Sequence, residues 1–191
     1  MIDCVRDRLA DERQTELSRL GSSKALYATT RGAMDGASIA AASRALSLAL
    51  ADRLAAHDAA WAADLEALVR EDAETLEDLA GDPVDPLFDP ALADEPAGAL
   101  GTVLGWATVA IALGEQETGY FVGQAQPGDA DTVRSVVDNR TALREAVCET
   151  VERVGPDREA IVAAALSTVD AAYDAYVDRL EAEGIEPKSI C

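Results

Sequence analysis

An uncharged stretch of eighteen residues, Ala97 to Gly114, constrains the fold of this chain more than any other feature. Charged side chains make up 27% of the sequence, so a run of this length without one stands out. A helix that is apolar on every side must be covered by other protein or by lipid. We therefore predict that this segment is the central helix of the molecule.

The composition of the stretch and its flanks favour a protein environment over a membrane. It contains four glycines and two threonines, and acidic residues precede and follow it without an excess of Lys or Arg on one side. The N-terminal residues 1–13 carry charges and no apolar run, which is not the pattern of a secretory signal. We expect a buried helix in a cytoplasmic protein that does not enter the membrane.

The charge balance is typical of a protein that functions at high salt concentration. The chain has 36 acidic and 16 basic residues, a net charge of -20, and its basic residues are arginines except for Lys24 and Lys188. Self-repulsion of this size is tolerable where molar salt shortens the Debye length to about 3 Å. Hydrated carboxylates with few lysines are the composition we expect of a halophilic cytosolic protein.

Helical periodicity covers nearly the whole chain, and no window alternates apolar and polar residues as a half-buried strand does. We predict an all-α fold, an up-and-down bundle of about five helices forming one domain over residues 1–191. A bend or break is expected near residues 55–60 of the second helix. The predicted helices cover residues 3–30, 35–79, 97–124, 129–153 and 158–184.

The segment Gly81 to Pro96 is predicted to be a surface loop. It holds four of the seven prolines and five acidic residues, which neither a helix nor a central strand accommodates. Leu87, Phe88 and Leu92 are its apolar residues. We expect these three side chains to attach the loop to the bundle.

No motif in the chain identifies a reaction. Helical bundles that hold two iron ions use Glu-x-x-His motifs, and this sequence has none. The single histidine, His57, lies on an apolar stripe and is expected to be partly buried. Nucleophile elbows and phosphate-binding glycine loops are absent, and the three cysteines are too far apart for a thiolate zinc motif. We predict no catalytic, cofactor-binding or metal-binding residues and no cofactor.

Direct binding of nucleic acid is also disfavoured. The densest arginine cluster, over residues 6–19, is interleaved with acidic residues, as on a solvated helix face with i, i+4 ion pairs. A nucleic-acid interface requires a basic patch instead.

Glycines spaced four residues apart mark a candidate interface. Such spacing lets two helix backbones approach closely, and it fits a tightly packed core helix as well as a homodimer contact. Large aromatic residues between the glycines provide anchors in either case. The candidate residues are Gly101, Gly105, Trp106, Gly119, Tyr120, Phe121 and Gly123.

Several segments resemble a known family. They are Leu20 to Tyr27, the turn from Gly32 to Gly36, the segment from Leu104 to Gly123, and the C-terminal residues 186–191. Together they are similar to a haloarchaeal group of small acidic proteins classed as rubrerythrin-related and ferritin-like, some of which are labelled transcription antitermination proteins. The resemblance implies a ferritin-like bundle, and it cannot transfer an iron site because the ligand pattern has no counterpart here.

Three functional hypotheses follow. The first is a non-catalytic bundle that acts by protein association, as a homodimer or with another protein, with the link to antitermination that the resemblance implies. The second is a maturation chaperone for redox enzymes, since Asp94-Glu95-Pro96 loosely resembles the linker of such chaperones, although the histidine that should follow is absent. The third is an enzyme of unrecognised type that uses His57.

Overall fold

The computed structural model describes residues 2–187, without the side chains of residues 2–4 and 6. This part of the chain forms eight helices and no strand, so the predicted all-α class is confirmed. The helices are α1 (Ile2–Glu12), α2 (Gln14–Leu20), α3 (Ser23–Thr29), α4 (Gly36–Ala55), α5 (Ala60–Thr75), α6 (Pro96–Gly123), α7 (Pro127–Val154) and α8 (Arg158–Ala182).

The predicted number of five helices is corrected to eight within the described residues, because two predicted helices are divided. The first is interrupted at Arg13, whose φ of -129° is not helical, and again at Ser22, which is extended at φ -116° and ψ 161°. The second ends at Ala55 and restarts at Ala60, inside the predicted break. The last three helices match their predicted positions to within a few residues.

Helix α6 is the centre of the bundle. It packs along its length against α7 on one side and α8 on another, and it also contacts α4, α2 and α3. Helices α4 and α5 pack together, and α5 packs on α7, so α4, α5, α7 and α6 enclose one core. The short helices α1, α2 and α3 lie against α8.

The uncharged segment is buried by protein, as predicted. Leu100, Val103, Trp106 and Val109 have no exposed surface. By length and composition alone, α6 and α8 are each apolar enough to cross a membrane. The most apolar window of α6 is 72% buried inside the protein, as its role as the central helix requires.

Two glycines allow α6 and α8 to approach closely. A Cβ atom at Gly101 would collide with the carbonyl oxygen of Ile161, and a Cβ at Gly105 would lie 2.6 Å from the carbonyl oxygen of Ala165. Contacts this short are not available to any residue with a side chain. The first pair of glycines spaced four residues apart, Gly101 and Gly105, therefore serves a contact between two helices of the same chain.

The proline-rich loop is attached to the bundle by apolar and charged contacts. Leu87 and Phe88 are buried and Leu92 is partly buried against the core, which confirms the prediction for these residues. Arg179 of α8 donates to the carbonyl oxygens of Asp85 and Pro86 in the loop. The same guanidinium donates to the carbonyl oxygens of Ala28 and Thr29 at the end of α3.

We predict that Arg179→Met releases this loop. The substitution keeps most of the apolar stem but removes a charged donor from four carbonyl oxygens, so we expect the free energy of unfolding to fall by about 2 kcal/mol. Limited proteolysis within residues 81–95 should become faster. The matched control is Arg158→Met at an exposed position of the same helix, where unchanged cleavage is expected. Equal cleavage rates in both variants would show that Arg179 does not hold the loop.

Candidate functional site

The most unusual group of polar side chains in the described structure surrounds Arg140, which has no exposed surface. Its Nε donates to Asp72 Oδ2 at 3.1 Å, and its Nη1 donates to the carbonyl oxygen of Ala110 at 2.8 Å. Its Nη2 donates to the hydroxyl oxygens of Ser43 at 2.8 Å and Ser47 at 3.4 Å. The guanidinium is therefore held from three sides.

A second carboxyl group, that of Glu117, completes what we call the Arg140 cluster: Ser43, Ser47, Asp72, Glu117 and Arg140. Glu117 is 3% exposed and Asp72 is 1% exposed. The side chain of Ser43, which accepts from Arg140, also acts on the carboxyl group of Glu117 and lowers its pKa. The five residues come from α4, α5, α6 and α7, so the cluster lies in the core that these four helices enclose.

The neighbouring helices leave space for the guanidinium. A Cβ atom at Gly114 would lie 2.6 Å from Val137 Cγ2 and 3.3 Å from Arg140 Nη1, so only glycine lets α7 bring Arg140 against α6. The ring of Trp106 lies 5.8 Å from the guanidinium carbon, within the range of a cation–π contact. Arg140 is thus fixed both by hydrogen bonds and by packing.

Burial dominates the electrostatics of both carboxyl groups. Removal from water raises the pKa of Asp72 to about 6, although the adjacent Arg140 acts in the opposite direction. Burial also raises the pKa of Glu117, again against the effect of Arg140. One oxygen of each group, Asp72 Oδ1 and Glu117 Oε2, has no hydrogen-bond partner in the described structure.

The arrangement suits a structural role more than a reaction. Its groups are sealed from solvent, and a substrate cannot reach them without separating the helices. The position between two buried carboxyl groups, where a bundle can hold a metal ion, is occupied by a guanidinium. Among the side chains that the structure describes, which exclude those of residues 2–4 and 6, no group of three or more His, Cys, Asp or Glu could hold a metal ion.

The sequence carries a signal for this cluster, because its three charged residues interrupt apolar stripes. Arg140 was visible as an interruption of an apolar stripe. Asp72 lies three residues after Val69 and four before Leu76, and Glu117 lies midway between Leu113 and Phe121. Each of the three charges thus stands where the helical period predicts a buried apolar residue. Three such interruptions on three helices could have been read as one polar cluster.

His57 is partly buried, as predicted, and lies in the break between α4 and α5. Its Nε2 is 3.1 Å from the carbonyl oxygen of Ala93, and its Nδ1 accepts from the backbone N–H of Ala59 at 3.2 Å. The ring packs against Trp61, with centroids 4.9 Å apart. Both nitrogens thus bond backbone groups, which is the arrangement of a structural histidine that links the helix break to the loop.

The predicted interface residues fall into two sets. Four of them make contacts inside the chain and are not available to a partner. Gly101 and Gly105 contact α8, and the rings of Trp106 and Phe121 are fully buried. The other three lie near the C-terminal end of α6, where added side chains at Gly119 and Gly123 would meet nothing within 4 Å. Tyr120 is partly exposed and donates to the carbonyl oxygen of Met34. Only this second set faces outward.

A groove of about 800 Å³ lies between α4 and the proline-rich loop. We call it the α4 groove. Its α4 side presents small and apolar residues, and Val84 on the loop side is 41% exposed. Arg44 and Arg53 lie along it, and Arg53 forms an ion pair with Asp89. The apolar residues that line it on this side are Ala41, Ala45, Leu48 and Ala49 of α4 and Ala56 directly after the helix.

Cys148 is the one cysteine whose side chain the structure describes. Cys148 is buried and unbonded, and burial raises its thiol pKa to about 11, so it is a poor nucleophile. The side chain of Cys4 and the whole of Cys191 lie outside the described residues, as does the last part of the C-terminal segment on which the family resemblance drew.

The fold and its buried cluster define an all-helical protein with a polar core. No protein-family model, curated protein or solved structure matches this chain.

Proposed function

We propose that this protein is a non-catalytic helical bundle that acts by binding another protein. Its architecture is ferritin-like in this proposal, with Arg140 in the place where such a bundle would hold metal ions. One observation carries the proposal. The Arg140 cluster, the most unusual polar group of the protein, is buried, whereas the α4 groove is open to solvent and mainly apolar. An open apolar groove with few convergent polar groups suits a protein segment better than a reacting substrate.

The occupant we propose is an apolar segment of a different protein. Two copies of this chain each carry a net charge of -20, and molar salt screens most but not all of their mutual repulsion. A homodimer is therefore opposed slightly more than a complex with a less acidic partner. The small residues along α4 leave room for inserted side chains. The charges of Arg44 and Arg53 are balanced by their ion pairs with Glu77 and Asp89. In the antitermination setting implied by the family resemblance, the partner would belong to the transcription machinery.

The composition also supports a halophilic and cytoplasmic setting for this association. Ion pairs at the surface of the bundle join arginines to acidic residues, for example Arg53 to Asp89 and Arg31 to Asp85. In molar salt such exposed pairs contribute little, so affinity would depend on apolar contact. The binding experiment therefore has to be done at high salt.

We predict that the double substitution Ala45→Glu and Val84→Glu abolishes binding. Placing two carboxylates inside an apolar interface opposes association, and a loss of about 1.4 kcal/mol of binding free energy already lowers the affinity tenfold. The measurement is recovery of a defined partner in a high-salt pull-down, followed by direct titration with the purified partner. The control is Val122→Glu, which alters another exposed valine, 54% exposed, near the end of α6.

The outcomes separate the hypotheses. Loss of binding with the double variant but not with the control supports the groove, and partner identity distinguishes a transcription protein from a redox-enzyme precursor. Equal binding by both variants rejects the groove as the surface. A wild-type dimer that the double variant dissociates would show a second copy as the occupant. A wild-type monomer without any partner at high salt would contradict association as the function.

A further inference from the structure

The Arg140 cluster contains one cation and two acids in a volume that water does not reach. Arg140, Asp72 and Glu117 are each at most 3% exposed. An arginine keeps its charge in proteins. If both carboxyl groups were ionised, the core would carry a net negative charge, and isolated buried charges are strongly unfavourable. The electrically neutral state is the one with a single proton on the two acids.

The geometry distinguishes the two carboxyl groups. Asp72 contacts the guanidinium directly through a hydrogen bond of 3.1 Å. Glu117 is linked to it through the neutral hydroxyl of Ser43, which accepts from Arg140 at 2.8 Å. A carboxylate is stabilised most by the direct contact. Asp72 is therefore the ionised partner of Arg140, and Glu117 is the group that holds the proton.

We propose that the Arg140 cluster holds one proton on Glu117 near neutral pH and that loss of this proton loosens the packing of α6 against α4, α5 and α7. Ionised Glu117 would add a second negative charge beside Asp72, with its Oε2 unbonded in the core. The buried charge can be relieved only by admitting water between these helices. The packing of α6 against α4, α5 and α7 therefore depends on the protonation state of the cluster.

The neighbouring groups act in both directions: Arg140 lowers the pKa of each acid, whereas Asp72 raises that of Glu117 and Glu71 raises that of Asp72. The groups that influence Glu117 are Arg140 from α7, Ser43 from α4 and Asp72 from α5. Asp72 is influenced in turn by Arg140 and Asn139 from α7 and by Glu71 from its own helix. No group of α2, α3 or α8 figures among those that act on either acid in the described structure. Arg140 is the only cation among them.

The sign of the pH dependence follows from the raised pKa values of the two acids. Asp72 titrates near 3.8 when exposed and about 6 in the folded protein, and the pKa of Glu117 is also raised by burial. Between the unfolded and folded values the native state binds more protons, so stability falls as the pH rises. The cluster's contribution is fully retained below the unfolded pKa values and is lost as the pH rises through the folded ones.

Infrared spectroscopy tests the proton directly. At about pH 7 the exposed acids are ionised, so the C=O stretch of a protonated carboxyl group should come from the cluster alone. We expect this band in the wild type and its loss in Glu117→Gln. The control Glu115→Gln, an exposed acid on the same helix, should keep it. Asp72→Asn should also lose the band, because Glu117 would then ionise to balance Arg140.

Unfolding in molar KCl at several pH values tests whether the proton on Glu117 stabilises this packing. The wild-type unfolding equilibrium constant should rise by up to about tenfold per pH unit through the titration of Glu117, and this rise should be absent in Glu117→Gln. Exchange of the backbone amides in residues 110–121 should accelerate over the same pH range in the wild type. A wild type with no carboxyl band at about pH 7, or identical pH profiles for Glu117→Gln and Glu115→Gln, would overturn the proposal.

Discussion

Arg140→Met should destabilise this protein by about 3–5 kcal/mol, the range for removing one partner of a buried ion pair. The substitution leaves Asp72 buried without its counter-ion, and Ser43 and the carbonyl oxygen of Ala110 each lose a charged donor. Methionine has a similar length, so the loss should come from the charge more than from a cavity. Chemical unfolding followed by circular dichroism is the measurement.

The control for this experiment is Arg134→Met on the same helix. Arg134 pairs with Asp131 at the surface, and 51% of its side chain is exposed. Surface substitutions of this kind change stability by less than about 0.5 kcal/mol. If the two variants unfold alike, the Arg140 cluster contributes nothing to the fold.

A combined variant tests the mechanism of the loss. Replacing the two acids as well, in Arg140→Met, Asp72→Leu and Glu117→Met, removes all buried charge at once. Buried ion pairs can often be replaced by apolar residues without loss of stability, so the triple variant should recover most of what Arg140→Met loses. A triple variant that is less stable than the single one would mean that the cluster fits its site too closely for apolar replacement.

Gly101→Ala is the second substitution with a large expected effect. The added methyl group would collide with the carbonyl oxygen of Ile161 and come within 2.7 Å of Ala164 Cβ, so α6 and α8 must move apart. Overpacking of this kind costs about 1–3 kcal/mol. The change should appear as a lower midpoint in chemical unfolding.

The matched control has the opposite expected sign. Gly119 lies in the same helix, and a Cβ atom there would meet nothing within 4 Å. Alanine stabilises an open helical position by about 1 kcal/mol relative to glycine, because glycine loses more backbone entropy on folding. If Gly101→Ala stabilises the protein as Gly119→Ala should, the two helix backbones are not held in close contact.

The helices with sustained periodicity could be predicted from the sequence. The apolar stripes of the last two helices and the uncharged character of α6 are features of the local sequence. The structure has these three helices at the positions that the sequence predicts. The break near His57 was also predictable, because an apolar stripe continued beyond the usual helix length. The division at Ser22 falls in Gly21-Ser22-Ser23, residues that favour turns over a helix interior, so the sequence carries a signal for it. The division at Arg13 was not predictable, since it depends on how α1 and α2 meet α8.

The polar core was harder to predict because it is a property of four helices together. Arg140 interrupts one stripe, but a single arginine on a helix face is compatible with a solvated position. Only the packing of α5 and α6 brings Asp72 and Glu117 to it. The α4 groove likewise depends on the path of the loop, which Arg179 sets from a distant part of the chain.

The position of α6 also bears on how the protein unfolds. One side of this helix packs around the core that contains the Arg140 cluster, and another side packs against α8. If either side separated completely, it would expose one face of a helix that carries no charge from Ala97 to Gly114. Neither side can therefore separate fully from α6 while the other stays folded. A loosening at the Arg140 cluster stops short of unfolding, and the bundle of eight described helices should lose its structure in one cooperative step.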